Sequence, residues 1–168
     1  IGVETEFSAY ATVTSNSFVD YDVQAGKAYT YSVQAVSNYG NESAFTKTGY
    51  TITRVPSTIV TNVIPMADHI AVYFQKIDGV DGYRIYRRTQ YSDWEKAGTA
   101  FADAEYFEDK FAPGGEEYYY CAVPYIGNSE SDKVSTDQGV YFLKAPQNVK
   151  SENTKDSLNV TWNVVPGA

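Results

Sequence analysis

Only one histidine and one cysteine occur in the sequence, and these residue types often carry acid–base or nucleophilic chemistry. His69 falls in a predicted turn, where a general base would need a nucleophile and an orienting partner that the neighbouring sequence does not supply. Cys121 falls among tyrosines in a predicted strand, which favours an inert structural thiol over a nucleophile. We therefore predict no catalytic residue and no enzymatic activity.

Acidic residues cluster near two predicted turns, where carboxylates could in principle bind calcium. Calcium needs about six to eight oxygen ligands that converge at one place, and no regularly spaced Asp/Asn/Gly loop of that kind is present. No glycine-rich phosphate loop follows a predicted strand either, so we predict no metal and no cofactor. We interpret the acidic residues as solvated charge; they are Asp20, Asp22, Asp103, Glu105, Glu108 and Asp109.

Length, composition and charge exclude several classes of protein. The 168 residues carry a net charge of −8, which argues against nucleic-acid binding because phosphate contacts need a basic surface. No stretch approaches the roughly 18 apolar residues of a membrane-spanning helix, so we predict no membrane insertion. One cysteine excludes an internal disulfide bond, and sixteen tyrosines with eight phenylalanines favour strands.

Two similar stretches, residues 18–36 and 107–123, are the most informative feature of the sequence. Each contains a short predicted strand, a turn with glycine, and a second strand in which apolar and polar residues alternate. An offset this long in strand-rich sequence indicates a tandem of small β domains. Four pairs of residues match at one offset of 89, namely Asp20 with Asp109, Gly26 with Gly115, Tyr29 with Tyr118, and Tyr31 with Tyr120.

These stretches resemble the fibronectin type III family. The segments VQAGKAY (23–29) and FAPGGEEY (111–118) are similar to the turn before strand F of that family, and GYRIYRR (82–88) is similar to its strand C. The resemblance implies an all-β fold of tandem antiparallel β-sandwiches, immunoglobulin-like in architecture. It also implies that Tyr29 and Tyr118 close a corner by bonding through their hydroxyls to upstream backbone.

The strand pattern divides the chain into three parts. We predict strands C to G of one domain in residues 1–54, a complete domain in 55–144, and strands A and B of a further domain in 145–168. The predicted strands of the first part are 3–10, 17–22, 27–37 and 44–53. Those of the complete domain are 59–64, 69–74, 82–88, 93–97, 104–109, 117–125 and 133–142, and those of the last part are 148–152 and 157–162.

Both outer parts are interpreted as incomplete halves of a sandwich. Leu158, Val160 and Trp162 alternate as Ile70, Val72 and Phe74 do, and we predict that they pair between subunits by completing the first half of another copy. Such head-to-tail contacts would propagate as a filament or close as a ring or swapped dimer. The alternative is that the sequence is a segment of a longer continuous array. The opening Ile1-Gly2-Val3, without methionine or signal peptide, favours a longer parent or a processed product.

One surface of the complete domain is a candidate contact with protein or carbohydrate. Alternation along the predicted strands C and F directs six side chains away from the core. Tyrosine and arginine are enriched at binding hot spots, although Arg–Tyr stacking that merely covers the sheet would give the same pattern. The side chains are Arg84, Tyr86, Arg88, Tyr119, Val123 and Tyr125.

What the resemblance implies about function is a non-catalytic repeat segment of an extracellular protein, of the kind found on bacterial cell surfaces. Its work would be spacing, adhesion or filament scaffolding, and its partners would be copies of itself, adjacent repeats, a surface protein or a polysaccharide. The alternative is a carbohydrate-contacting accessory module of a secreted glycoside hydrolase. An enzyme is disfavoured because no paired catalytic residues are visible.

Overall fold

A computed structural model of the chain describes residues 7–46 and 50–168. These residues form antiparallel strands and turns and contain no helix. They therefore include no helix long and apolar enough to cross a membrane. The chain divides into two compact units, Ile1–Arg54 and Val55–Ala168, and each is described by itself. The predicted three-part division, with boundaries at residues 54 and 144, stays a prediction.

The first unit contains a two-stranded sheet of β1 (Ala28–Tyr31) and β2 (Tyr50–Thr53), with Tyr29 opposite Ile52. An isolated bridge joins Val36 to Glu42 across the following turn. The predicted strand 17–22 is wrong, and residues 7–10 of the predicted strand 3–10 are not a strand either. A strand needs a hydrogen-bonding neighbour, and the described residues of this unit offer these segments none. Residues 3–6 and 47–49 of the predicted strands lie outside the described residues.

The second unit contains a complete β-sandwich. Strands β3, β4 and β7 form one sheet, and β10, β8, β5 and β6 form the other in that order, with β9 paired to β8. These sheets are A–B–E and G–F–C–C′ of the predicted fold, so the all-β, antiparallel, fibronectin type III class is confirmed. The strands are β3 (Val60–Pro65), β4 (Ile70–Phe74), β5 (Gly82–Arg88), β6 (Glu95–Phe101), β7 (Tyr106–Asp109), β8 (Glu116–Ile126), β9 (Ser129–Glu130) and β10 (Val140–Phe142).

Alternating apolar side chains from the two sheets form the core of this sandwich. Ile70 and Val72 on β4 are fully buried, as are Tyr83 and Ile85 on β5. The ring of Phe74 lies 4.5 Å from that of Tyr83, between centroids, so the two sheets touch through aromatic side chains. Burying each such side chain stabilises the fold by about 1.5–3 kcal/mol, which makes β4 and β5 the centre of the structure.

Strand G differs most from its predicted extent of 133–142. Only β10 is regular. Before it, Thr136 forms one backbone and one side-chain hydrogen bond with Tyr120 in place of a continuous strand ladder. Its N–H donates to the Tyr120 carbonyl at 2.9 Å, and its Oγ1 accepts from the Tyr120 N–H at 3.2 Å. Threonine and serine hydroxyls compete in this way with backbone acceptors. Strand C′ was likewise predicted at 93–97 but extends through Glu95–Phe101, with an irregularity opposite Ile85 and Tyr86.

Asp109 is buried, so its interpretation as solvated charge is wrong. It lies at the end of β7, fully shielded from solvent, and both of its oxygens accept from Arg87 Nη1 at 2.7 Å. Tyr120 donates its hydroxyl to Oδ2 at 2.9 Å, and the Phe111 N–H donates to Oδ1 at 3.1 Å. Burial, reinforced by this carboxylate, raises the pKa of Tyr120 above its ordinary value and keeps the hydroxyl a donor.

The same hydrogen bonds recur in the first unit at the offset of 89 residues. Tyr31 donates its hydroxyl to Asp20 Oδ2 at 2.7 Å, and the Asp22 N–H donates to Asp20 Oδ1 at 2.9 Å. The bond from Tyr31 lowers the pKa of Asp20 and, in return, raises the pKa of Tyr31 to about 12. Asp20 is therefore also a bonded carboxylate rather than simply a solvated charge.

Both predicted tyrosine corners are present in the described residues. The Tyr118 hydroxyl donates to the Pro113 carbonyl at 3.1 Å, and the Tyr29 hydroxyl accepts from the Gln24 N–H at 2.8 Å. Each bond reaches five residues upstream. Both turns contain a glycine with positive φ, +77° at Gly26 and +90° at Gly115. Glycine adopts this conformation without steric cost.

The last residues of the second unit form a hairpin of β11 (Lys150–Asn153) and β12 (Leu158–Thr161). Beyond it, Gly167 approaches Gly115 so closely that a Cβ on Gly167 would lie 2.5 Å from the Gly115 Cα. Tyr141 donates its hydroxyl to the carbonyls of both glycines, at 3.0 Å for Gly115 and 3.3 Å for Gly167. The C-terminal turn is thereby fixed to the turn before β8.

We expect Asp109→Asn to lower the free energy of unfolding of the second unit by about 3 kcal/mol, because Arg87 then keeps a shielded charge without its main partner. Urea unfolding followed by circular dichroism measures this change. Glu108→Gln is the matched control, since the adjacent exposed pair of Glu108 with Lys110 contributes about 0–1 kcal/mol. Equal losses in the two variants would contradict the structural role of Asp109.

Removing either corner hydroxyl should cost about 1 kcal/mol, the ordinary contribution of one hydrogen bond. Tyr118→Phe should lower amide-exchange protection around β8, and Tyr29→Phe should lower it around β1. Hydrogen exchange with mass spectrometry separates the two regions. Tyr39→Phe is the control, because that side chain is 93% exposed and should change nothing. Unchanged protection in the two corner variants would refute this role of the hydroxyls.

Candidate functional site

The candidate contact surface lies on the outer side of the sheet that contains β5 and β8. We call its residues Arg84, Tyr86, Arg88, Tyr119 and Tyr125 the aromatic–basic face. In the register of the two strands, Tyr86 lies opposite Cys121 and Arg88 opposite Tyr119. The intervening residues, such as Ile85 and Tyr120, belong to the core. Strand alternation therefore places the aromatic–basic face as expected, while its contact with a partner stays a prediction.

Val123 was predicted to point away from the core on this side of the sheet, and the register places it there. It lies on the same side of β8 but is completely shielded from solvent. Arg84 lies opposite it on β5, with its guanidinium 4.4 Å from the centroid of the Tyr125 ring. The long side chains of the aromatic–basic face thus cover the sheet beneath them, as arginine stems and aromatic rings commonly do.

The Arg84 end of the aromatic–basic face is satisfied within the protein. Arg84 forms an ion pair with Glu130 in addition to its contact with Tyr125. The ammonium group of Lys133 lies 4.3 Å from the centroid of the Tyr86 ring, on a residue that the sequence did not single out. This half matches the alternative interpretation, in which cross-strand stacking covers the sheet.

The Arg88 end has a different set of contacts. The guanidinium carbon lies 5.1 Å from the ring centroid of Trp94 and 5.5 Å from that of Tyr119. Its Nε is buried and has no hydrogen-bond partner among the described residues. Trp94 was not identified from the sequence because it precedes β6 and meets Arg88 only through strand pairing. The predicted strand C′ contains Trp94, so its expected pairing with strand C could have indicated the contact with Arg88.

Cys121 is completely buried beneath this surface. Burial raises the pKa of its thiol to about 12, and the nearby Lys133 and Arg88 cations oppose this rise only in part. A protonated, shielded thiol is a poor nucleophile. The ring of His69 bonds to the adjacent Asp68 carboxylate, with 2.7 Å between Nδ1 and Oδ1. Among the described residues, no three His, Cys, Asp or Glu side chains come together in a way that could hold a metal ion.

The three residues predicted to pair between subunits are exposed on the C-terminal hairpin. Leu158 is 70% exposed, Val160 48% and Trp162 58%. The residues that alternate in the same way on β4, Ile70, Val72 and Phe74, are all buried in the complete sandwich. In the first unit, Val33 is also largely exposed, and Tyr29 and Tyr31 are half-buried. Both surfaces therefore retain apolar side chains that a complete sandwich covers.

No family model matches this sequence, and no curated protein matches it. Among the solved structures that are similar to it are two with a TM-score of 0.41 each. One is a β-1,2-glucanase from Parabacteroides distasonis, 18% identical over 62% of this chain and 16% of that chain. The other is the FN1–FN3 domains of chicken CNTN1, 12% identical over 84% of this chain and 55% of that chain. The chain thus spans less than two thirds of either structure, and such low scores do not bear on its function.

We expect Cys121 to resist modification in the folded protein. Its raised pKa keeps the thiol protonated at pH 8, and its burial blocks access of the reagent. Labelling with a disulfide reagent such as DTNB should therefore be slow in buffer. The matched control is the same protein in guanidinium chloride, where labelling should be complete and rapid. Equal rates in the two solutions would show that the thiol is accessible.

Proposed function

We propose that this chain is a non-catalytic segment of fibronectin type III repeats that serves as a spacer, adhesion or filament scaffold in an extracellular protein. The observation that carries the proposal is the recurrence of the same structural bonds at one offset. Asp20 with Tyr31 and Asp109 with Tyr120 form matching pairs, and each lies beside a tyrosine corner. These bonds stabilise the turn before the second strand of each pair, which suits a module that bears load or spaces others.

The charge and the cysteine content of the chain are compatible with an extracellular setting on a bacterial surface. A net charge of −8 keeps a long array of such modules soluble and separate. The sequence uses a single cysteine, which is buried, so the fold needs no disulfide bond in an oxidising environment. Partners in this setting are adjacent repeats, other copies, a surface protein or a polysaccharide.

The complete sandwich indicates what could cover the exposed hairpin. Within it, Val72 on β4 and Tyr120 on β8 belong to one core between the two sheets. Val160 matches Val72 in strand alternation, and Tyr31 matches Tyr120 at the offset of 89. The hairpin surface is therefore chemically complementary to the β1 surface of another copy, which would supply the missing layer. Each apolar side chain buried there would contribute about 1.5–3 kcal/mol.

A second candidate function rests on the aromatic–basic face. Partly exposed tyrosine rings and arginines share one flat side of the sheet, and aromatic rings with cationic neighbours suit contact with sugar rings and their hydroxyls. This favours the alternative of a carbohydrate-contacting accessory module of a secreted glycoside hydrolase. Such a role is compatible with a spacing function, because it uses the outer side of the sheet and leaves the hairpin free.

The association of copies can be tested by sedimentation velocity over a range of protein concentrations. We expect the mean mass of the wild-type chain to rise with concentration, and Val160→Asp to remain monomeric because the charge would enter the apolar contact. Thr161→Asp is the matched control, since this exposed residue precedes Trp162 on the opposite side of β12. A monomeric wild type, or equal behaviour of the two variants, would contradict completion by another copy.

A further inference from the structure

Strand β5 carries three arginines, and two of them have carboxylate partners. Arg84 pairs with Glu130, and Arg87 pairs with Glu95 and Asp109. Arg88 has aromatic contacts with Trp94 and Tyr119 but no hydrogen bond or ion pair within residues 7–46 and 50–168. In a chain of net charge −8, a partly buried arginine without an acidic neighbour is an exception that calls for an explanation.

A second cation on this side of the sheet also lacks a carboxylate partner in the described residues. Lys133 contacts the Tyr86 ring, and in the described part of the chain no carboxylate pairs with it. Tyr86 and Arg88 point to the same side of β5, two residues apart, which is about 7 Å along a strand. Both cations lie near the buried Cys121, which faces Tyr86 across the strand pair. Two cations without an ion-pair partner in the described residues therefore lie on one side of the sheet, where the Tyr119 and Tyr86 hydroxyls donate to the Glu117 and Glu130 carboxylates.

The aromatic contacts fix the direction of the Arg88 guanidinium. The guanidinium lies between the rings of Trp94 and Tyr119, and its Nε is buried without a partner, which costs about the free energy of one unsatisfied hydrogen bond. Its terminal nitrogens have no hydrogen-bond partner among residues 7–46 and 50–168. A guanidinium held in this way presents a rigid fork that matches a carboxylate group, and its rotamer entropy is already lost before binding.

We propose that Arg88 and Lys133 form a binding site for the carboxylate groups of an acidic polysaccharide, with Trp94, Tyr119 and Tyr86 as its floor. The ligand chemistry is that of a uronic acid polymer, whose repeated carboxylates pair with the two cations. A flat side of a sheet accommodates an extended polymer without a deep pocket.

The position of Arg88 within the sheet favours a saccharide over an acidic peptide. Strand β5 is hydrogen-bonded to β6 on one side and to β8 on the other, so it offers no free backbone at this place. A peptide that binds by adding a strand draws its affinity from such backbone bonds. A saccharide needs only the side chains, because it bonds through carboxylates and hydroxyls and packs its ring faces on aromatic residues.

This site is independent of the proposed spacing function, and it rests on the second candidate function, whose carbohydrate contact it narrows to acidic polymers. Its residues lie on the outer side of β5 and β8, whereas the hairpin contact involves Leu158, Val160 and Trp162. Failure of either proposal would therefore leave the other standing, and association and ligand binding are measured in separate experiments.

Isothermal titration of the full chain with polygalacturonate at low ionic strength tests the site. The probe is compared with its fully methyl-esterified form, which has the same sugar backbone without the charges, and with poly-L-glutamate of similar length. We expect measurable binding of polygalacturonate and at least tenfold weaker binding of both comparison polymers. No binding of polygalacturonate, or equal binding of the esterified form, would overturn the proposal. Tighter binding of polyglutamate would assign the site to acidic peptides and overturn the saccharide.

Variants separate this site from general attraction between charges. Arg88→Ala should weaken binding about tenfold or more, the loss expected when one charge-assisted contact is removed. Arg88→Lys should restore part of it, since the charge returns without the fork. Lys133→Ala should also weaken binding. Lys155→Ala, in the exposed turn of the hairpin, is the matched control for net charge and should change affinity by about twofold at most.

Thermal unfolding by circular dichroism checks that each variant is folded before titration. Arg88→Lys keeps a positive charge and an alkyl stem beside the aromatic rings and serves where Arg88→Ala proves unstable. An equal loss of affinity in Arg88→Ala and Lys155→Ala would indicate that only net charge matters. That result would overturn the assignment of the site to Arg88.

Discussion

The buried carboxylate of Asp109 joins the two sheets of the complete sandwich, and the surrounding structure depends on its neutralisation. It belongs to β7 in one sheet, whereas Arg87 and Tyr120 belong to β5 and β8 in the other. An isolated charge in this position would cost several kcal/mol, so all three strands must keep their register for the fold to persist. The bond from the Phe111 N–H also fixes the start of the turn before β8.

The need to bond this carboxylate also explains why each repeat has two tyrosines two positions apart on one strand. In the second unit Tyr120 reaches Asp109 and Tyr118 reaches the Pro113 carbonyl, so one strand satisfies both ends of the turn. The first unit has the corresponding bonds of Tyr31 and Tyr29, although its Asp20 is less shielded. Solvent screens a charge in that setting, so the neutral donors Tyr10, Tyr31 and the Asp22 N–H suffice for this carboxylate, where Asp109 also has the Arg87 cation.

The aromatic–basic face consists of two halves that differ in their contacts. At one end Arg84 is neutralised by Glu130 and stacks on Tyr125, which makes it part of the cover over Val123. At the other end Arg88 is held by aromatic rings and lacks an acidic partner in the described residues. A strand that alternates arginine and tyrosine can therefore combine a neutralised arginine with one that has no ion-pair partner in the described residues. The distribution of carboxylates around it makes the difference.

The sequence alone determined the fold class, the two tyrosine corners and the outward direction of Arg84, Tyr86 and Arg88. The outward direction follows from local alternation, and the fold class and the corners are what the resemblance of the turn and strand sequences to fibronectin type III domains implies. Only the tertiary structure decided that Asp109 is buried, that Trp94 stacks on Arg88 and that Arg88 has no carboxylate. A charge is solvated or paired according to what lies across the sheet, and those partners come from strands far apart in the sequence.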